Sequence, residues 1–285
     1  MSNTESLSTK LKQAFIELIT NHTGLEIRER DQTDLSEKIL ARMKALNLEI
    51  AENYYQLLAF SPIDGHLEWQ KLMTKLTNTD SYFFRDRGQL NVLRNHIFPE
   101  IIQRKQNSKR MRICSAGCST GEEPYSLAII LKEIIPSLEQ WDLMILGVDI
   151  NQAALQKAKT GIYTPWSFRN NDPKTKQQYF QLIGSQYEIN QEISKMVKFE
   201  YLNLVKDSFP QSCSDLKDLD LIICRNVFIY LKESAITKVL NKFYQALQPL
   251  GYLLTGHAEL FSQNLSQFHP KVFPETLVYQ RQANI

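Results

Sequence analysis

Hydrophobic positions along the first quarter of the chain recur at helical spacing. Leu7, Leu11, Ala14, Phe15, Leu18 and Ile19 form one stripe, which Asn21–Gly24 ends. Asp34 with Glu37 reads as the cap of a second helix, with Leu35, Ile39, Leu40, Met43 and Leu46 on its apolar face and Lys38, Arg42 and Lys44 on the other. That basic face suits either solvent or a partner helix. Tyr54, Tyr55, Leu57, Leu58 and Phe60 form a third stripe, stopped at Ser61–Pro62, and Leu67, Trp69, Leu72, Met73 and Leu76 a fourth. From about residue 110 the period changes. Apolar runs near 111–115, 143–149, 197–202, 219–224, 251–256, 271–273 and 276–281 read as strands. Helices fall between them, as at 152–159 and 233–247. This alternation predicts a mostly parallel sheet with helices on both faces, preceded by an all-helical unit at 1–76. Residues 162–196 break the rhythm. They are too many for a simple loop and carry Tyr163, Trp166, Phe168, Tyr179, Phe180 and Tyr187, so a helix followed by a small antiparallel excursion is expected there.

Composition narrows the class without choosing a chemistry. Of the 285 residues, 43% are hydrophobic and 22% charged, with a net charge of +2, which leaves no electrostatic footprint for nucleic acid. Residues 1–77 hold nine basic and eleven acidic side chains, so the remainder is slightly basic. Cys114, Cys118, Cys213 and Cys224 lack C-x-x-C spacing and His companions, and read as buried free thiols rather than metal ligands or a disulfide. The polar N-terminus has no apolar signal core and no apolar run approaches about 20 residues, so a cytoplasmic protein is expected.

The chemistry concentrates at 111–126, MRICSAGCSTGEEPYS. This segment reads as a strand, a small-residue loop and a helix, the arrangement that cradles nucleotide cofactors in α/β proteins. The glycines at 117 and 121 fit neither G-x-G-x-x-G nor a phosphate loop. Thr120 and Glu123 stand at capping-box spacing, and Pro124 falls in the first turn. Glu122 and Glu123 place negative charge where a pyrophosphate would sit. Such a loop suits a nucleoside that has no phosphates and carries positive charge, namely S-adenosylmethionine (AdoMet), unless its small residues merely close a tight turn. The strand ends downstream are polar: Asp149, placed to accept from ribose hydroxyls; Asn203–Leu204; and Arg225, Asn226 and Val227. Singly, each is as well explained as a helix cap; together they outline one crevice.

On these residues the chain resembles the CheR-type chemotaxis receptor methyltransferases. The resemblance rests on TNTDSYFFRD (77–86), AGCSTGEEPYSLA (116–128), VDI (148–150), Asn203–Leu204, CRNVFIYL (224–231), GYLLTGHAE (251–259) and LVYQR (277–281). It implies a class I AdoMet-dependent methyltransferase fold (a Rossmann-like, mostly parallel seven-stranded α/β sheet) at 77–285, with the 162–196 insertion as a small β-subdomain. In some members that subdomain tethers a receptor tail. It also implies methyl transfer from AdoMet to glutamate carboxylates of a chemoreceptor's cytoplasmic helical domain, leaving S-adenosylhomocysteine (AdoHcy). The implied cofactor contacts are Thr79, Ser81, Arg85, Glu122, Asp149, Asn203, Leu204, Asn226 and Val227. Thr79 stands where many members have Asn, Ser81 where they have Thr, Leu250 in place of the first glycine of a Gly-Gly, and Ala258 in place of Ser.

Residue chemistry adds roles to this set. Arg85 suits a bidentate pair with the methionine carboxylate, or else an ion pair with Asp80 or Asp86. Arg225 and Tyr230 are candidates for orienting the incoming glutamate, and His257 reads as structural. No metal is implied, and the expected protein is a monomer that meets the membrane only through its receptor and does not bind nucleic acid. Two other functions fit the same motifs: a class I methyltransferase for another substrate, although [DN]-P-P-Y is absent at the fourth strand end, and a non-catalytic AdoMet- or AdoHcy-responsive receptor adaptor. A dehydrogenase fits least, for want of the pyrophosphate fingerprint.

Overall fold

A computed structural model describes residues 7–169, 172–210, 215–261 and 263–283. Four helices come first: α1 (Thr9–Thr23), α2 (Gln32–Ala45), α3 (Ala51–Phe60) and α4 (Asp64–Leu76). The Ser8 hydroxyl caps α1 by accepting from the Leu11 N–H (3.3 Å), and Gly24 ends it in the left-handed region (φ +79°). The expected cap at Asp34 is not one. That residue lies inside the first turn of α2, where it pairs with Lys38, and Asp31 precedes the helix without a side-chain capping bond.

The helices bury Phe15, Ile19, Ile39, Leu72 and their neighbours in a cluster of their own. Within it the Arg42 guanidinium grips Glu68 through two bonds (2.7 and 2.8 Å), and the Tyr54 hydroxyl donates to the same carboxylate (2.8 Å). Arg42 is therefore spent inside the bundle, and the basic face read from α2 reduces to Lys38 and Lys44. His22 stacks on Trp69 with ring centroids 3.9 Å apart. Burial, with Lys206 nearby, pushes its imidazole down to about 4, so the ring is neutral at physiological pH.

A helical segment unmarked in the hydrophobic pattern links the two parts: α5 (Arg87–Val92), a π-turn (Leu93–Ile97) and α6 (Phe98–Arg104). The sheet follows, with β1 (Arg110–Ala116), α7 (Glu122–Ile134), β2 (Asp142–Asp149) and α8 (Gln152–Thr160). The insertion holds β3 (Ile162–Tyr163), α9 (Pro173–Tyr179), β4 (Phe180–Ile183), β5 (Gln186–Ile189) and α10 (Gln191–Ser194). Then come β6 (Val197–Tyr201), β7 (Leu219–Cys224), α11 (Glu233–Ala246), β8 (Leu247–Thr255), β9 (Phe268–Phe273) and β10 (Thr276–Arg281). β8 starts four residues before the predicted 251. Leu250 within it takes φ +63°, a conformation that the glycine it replaces would adopt without strain.

Strand order is β6-β2-β1-β7-β8-β10-β9, and β10 alone runs antiparallel to its neighbours. The chain winds outward from β1 in both directions, so the order reverses between β1 and β7. Side chains alternate across the sheet. Met111 and Ile113 of β1 enter the core under α7, whereas Cys114 and Ala116 enter the core under α11. Cys114, Cys118 and Cys224 are buried free thiols, pushed up by burial; Cys213 lies outside the described residues. The insertion forms a second sheet, ordered β3-β5-β4. No helix among the described residues is long and apolar enough to cross a membrane.

The Arg42–Glu68 pair supports a stability test. Removing one partner of a buried pair costs about 3–5 kcal/mol, because the other charge stays uncompensated, whereas replacing both with apolar groups costs far less. Arg42→Met is expected to lower the urea-unfolding free energy by about 3 kcal/mol. Adding Glu68→Leu should return most of it.

Candidate active site

The crevice opens where the strand order reverses, beyond the C-terminal ends of β1, β2, β6 and β7. β1 delivers the chain into it through Gly117 (φ +74°), where a Cβ would fall 2.3 Å from Val227 Cγ2. The N–H groups of Gly117 and Cys118 both donate to the Val148 carbonyl (2.8 and 3.0 Å), pulling the loop over β2. Ser119 then donates its N–H to Asp149 Oδ2 (2.8 Å) and its hydroxyl to the Thr79 carbonyl (3.0 Å). Asp149 Oδ1 accepts from the Asn151 N–H (2.7 Å). Burial pushes the Asp149 carboxyl up, and the backbone N–H groups around it pull the other way.

The predicted set divides in two. Thr79, Asp149, Asn203, Leu204, Asn226, Val227 and Tyr230 line the crevice. Among them, Asn203 holds the β6 loop through its side chain. Its amide donates to the His22 carbonyl (2.7 Å), and its Oδ1 accepts from the N–H groups of Val205 and Lys206 (3.0 Å each). Asn226 sits in the left-handed region (φ +59°), and Tyr230 is half-exposed at the rim.

Ser81, Arg85, Glu122 and Arg225 stand outside the lining. Arg85 donates to the Asp80 carbonyl (3.2 Å) and lies over the Tyr82 ring. Neither expected ion pair forms, since Asp80 is taken by Arg169 and Asp86 by His257. Glu122 is buried, accepting from the hydroxyls of Thr120 (2.7 Å) and Ser167 (3.1 Å). The Thr120–Glu123 capping box does not form. Gly121 precedes α7, and Glu123 instead accepts from Ser115 (2.7 Å) and pairs with Arg225 (2.7 Å). Arg225 also donates to the Arg85 carbonyl (2.8 Å) and to Gln89 (3.1 Å). It is a buried tie between elements, not a group free to meet a substrate.

The helical part supplies walls that sequence reading missed. Thr23 ends α1 and Leu25 follows it, Met73 and Leu76 come from α4, and Thr77 and Asn78 lie just beyond it. An antiparallel bridge pairs Leu25 with Leu231, and Asn151 Nδ2 donates to Thr77 Oγ1 (2.8 Å). Met73 and Leu76 were visible only as part of the α4 apolar stripe, and a stripe does not say which neighbour covers it.

The donor set can be tested against a nucleoside cofactor. Among the described residues no lysine or arginine lines the crevice, an acid stands at the end of β2, and Ile150, Leu204 and Val227 provide apolar surface. The set fits a phosphate-free nucleoside and not a pyrophosphate. Residues 79–275 match the model of the CheR methyltransferase SAM-binding domain. The chain belongs to the CheR methyltransferase family.

Relatives extend the match beyond that domain. The chemotaxis protein methyltransferase of Borreliella burgdorferi is 32% identical over 264 residues, covering 90% of this chain and 91% of its own length. Chemotaxis protein methyltransferase 2 of Vibrio cholerae is 32% identical over 260 residues (91% and 88%), and the Escherichia coli protein 30% over 251 (86% and 82%). The chain is thus an AdoMet-dependent methyltransferase of class I architecture. Among the described residues no group of three or more His, Cys, Asp or Glu side chains is placed to hold a metal ion.

Among the described residues, Asp149 is the charged side chain that lines this CheR crevice. Asp149→Asn is expected to weaken AdoHcy binding by about 10–100-fold, the worth of a charge-assisted hydrogen bond. Calorimetric titration of the two proteins measures it.

Proposed function

We propose that the protein transfers the AdoMet methyl to glutamate side chains in the cytoplasmic helical domain of chemoreceptors, giving glutamyl methyl esters and AdoHcy without a metal. The observation that carries this reading is the crevice itself: lined by Asp149, free of basic side chains among the described residues, and at the reversal of the sheet, with its strand-end walls inside the segment that matches the family. Thr79, Asp149, Leu204, Asn226 and Val227 are the contacts it favours, with Asn203 fixing the β6 loop. Ser81, Arg85 and Glu122, outside the lining, are not among them. Residues 1–76 form the helical unit, and 77–285 the transferase, with 162–196 inserted. Its edge strand β4 exposes Leu182 and Ile183, which supports a tether to a receptor tail.

The chemistry asks little of the protein. When bound, AdoMet supplies an electrophilic methyl on a sulfonium. A glutamate with a pKa of about 4.3 is already ionised at neutral pH, so no base is needed. His257, paired with Asp86 (2.7 Å), stands outside the crevice lining. What the chain contributes is alignment and exclusion of water, which together are worth up to about 7–11 kcal/mol. Tyr230, half-exposed at the mouth, is the side chain that would orient the entering carboxylate. Each ester removes one negative charge from a receptor helix. Relief of like-charge contacts at about 0.2–0.5 kcal/mol each biases a near-balanced bundle.

Incubation with radiolabelled AdoMet and receptor-bearing membranes tests the proposal. Base-labile label on receptor protein is expected. Label on nucleic acid or small molecules would replace the substrate, and none at all would leave a receptor adaptor. In the same assay Tyr230→Phe should slow methylation about tenfold with AdoHcy affinity unchanged. Unaltered kinetics would remove Tyr230 from the mechanism.

A further inference from the structure

The loop after β2 joins the two parts of the chain at the crevice. Ile150 lines the crevice and packs against the helical cluster. Asn151, next along, is buried and stands outside the lining. Its N–H donates to Asp149 Oδ1 (2.7 Å), and its side-chain Oδ1 accepts from the Ala154 N–H (3.0 Å), capping α8. Its Nδ2 donates to Thr77 Oγ1 (2.8 Å). The polarity of this last bond is set at both ends. The cap requires the amide oxygen, so the amide nitrogen faces Thr77. The Thr77 hydroxyl donates to the Met73 carbonyl (2.7 Å), so its oxygen is left to accept.

A second route joins the same two pieces of chain. Ser119 donates its N–H to Asp149 Oδ2 (2.8 Å) and its hydroxyl to the Thr79 carbonyl (3.0 Å). Ser119 has φ +52°, a conformation that is sparsely populated and persists when neighbouring groups hold it. These bonds close a ring through Thr77, Asn151, Asp149, Ser119 and Thr79. Both oxygens of the Asp149 carboxylate, and both ends of the 77–79 segment that leaves α4, are therefore held by the same two residues. That segment lines the crevice along its whole length.

We propose that Asn151 is a positioning residue, whose side-chain amide ties the 77–79 segment to the loop that fixes Asp149, so that acid and wall meet the nucleoside as one unit. The inference rests on the reading of Thr79 and Asp149 as cofactor contacts. Asn151 acts through Thr77 and touches no ligand itself. A ligand that needs both contacts binds in proportion to the fraction of molecules in which the segment is held. Losing the amide bond should lower affinity about tenfold.

Two variants remove that bond from opposite ends. Asn151→Ser keeps a capping oxygen for α8 and the N–H for Asp149, but is too short to reach Thr77. Thr77→Val removes the acceptor and leaves the cap alone. Calorimetric titration with AdoHcy should find each about tenfold weaker than wild type, and the double variant no weaker than Thr77→Val, in which the bond is already gone. Amide hydrogen exchange read by mass spectrometry separates this role from capping. In Asn151→Ser, exchange should quicken in the 77–80 segment and stay at the wild-type rate in α8. Losses that multiply in the double variant overturn the proposal, as does wild-type affinity in Asn151→Ser. Faster exchange in α8 alone also overturns it, and leaves Asn151 as a helix cap. A wild-type protein that fails to bind AdoHcy overturns the cofactor reading and this inference with it.

Discussion

The frame of the site depends on the buried pair of Arg225 and Glu123. Four pieces of chain meet there: β1 through Ser115, α7 through Glu123, β7 through Arg225, and the 85–89 segment through the Arg85 carbonyl and Gln89. Gln89 carries the connection on to β8, donating to the Thr255 carbonyl (2.7 Å). A charge this deep is tolerable only when paired and hydrogen-bonded, and here Arg225 donates to Glu123, the Arg85 carbonyl and Gln89 while Glu123 accepts from Arg225 and Ser115. The pair therefore fixes where β1 and β7 part, and the crevice lies in that parting. It also explains why two residues that look functional in sequence, an arginine at a strand end and a glutamate at a helix start, do structural work.

With that frame set, the walls follow from ordinary packing. The chain cannot close the crevice from the sheet alone. The turn after α1 and the end of α4 complete it, held by the Leu25–Leu231 bridge and by Asn203 bonding the His22 carbonyl. The neutral His22 ring stacked on Trp69 links this contact to the bundle core. The helical part is thus a wall of the crevice, and if AdoMet binds there as proposed, its affinity should answer to the packing of α1 and α4.

Much of this was legible in the residues. Strands buried on both faces announce themselves as continuous apolar runs, and β1, β2 and β7 fall within one residue of their predicted bounds. Asp149, Asn226 and Val227 were findable because ligands bind beyond parallel strand ends. The α5–α6 segment was not, since it is short and interrupted by a π-turn, which breaks helical periodicity. Nor was the partner of a charge legible. Arg42 looked exposed on α2, and only tertiary packing brings Glu68 to it, 26 residues away. Thr120 and Glu123 had capping-box spacing, but a buried arginine 102 positions away outbid the helix end for Glu123.

The central claim is that this crevice is built for a nucleoside without phosphates. Acid at the end of β2, apolar surface on the β6 and β7 loops, and the lack of basic side chains among the described lining residues all favour such a ligand over a charged pyrophosphate. A competition titration of the wild-type protein tests this most directly, with AdoHcy as the bound ligand and adenosine diphosphate as the competitor. The account predicts that AdoHcy binds and that adenosine diphosphate, even in large excess, fails to displace it. Displacement by adenosine diphosphate at concentrations comparable with AdoHcy would contradict it.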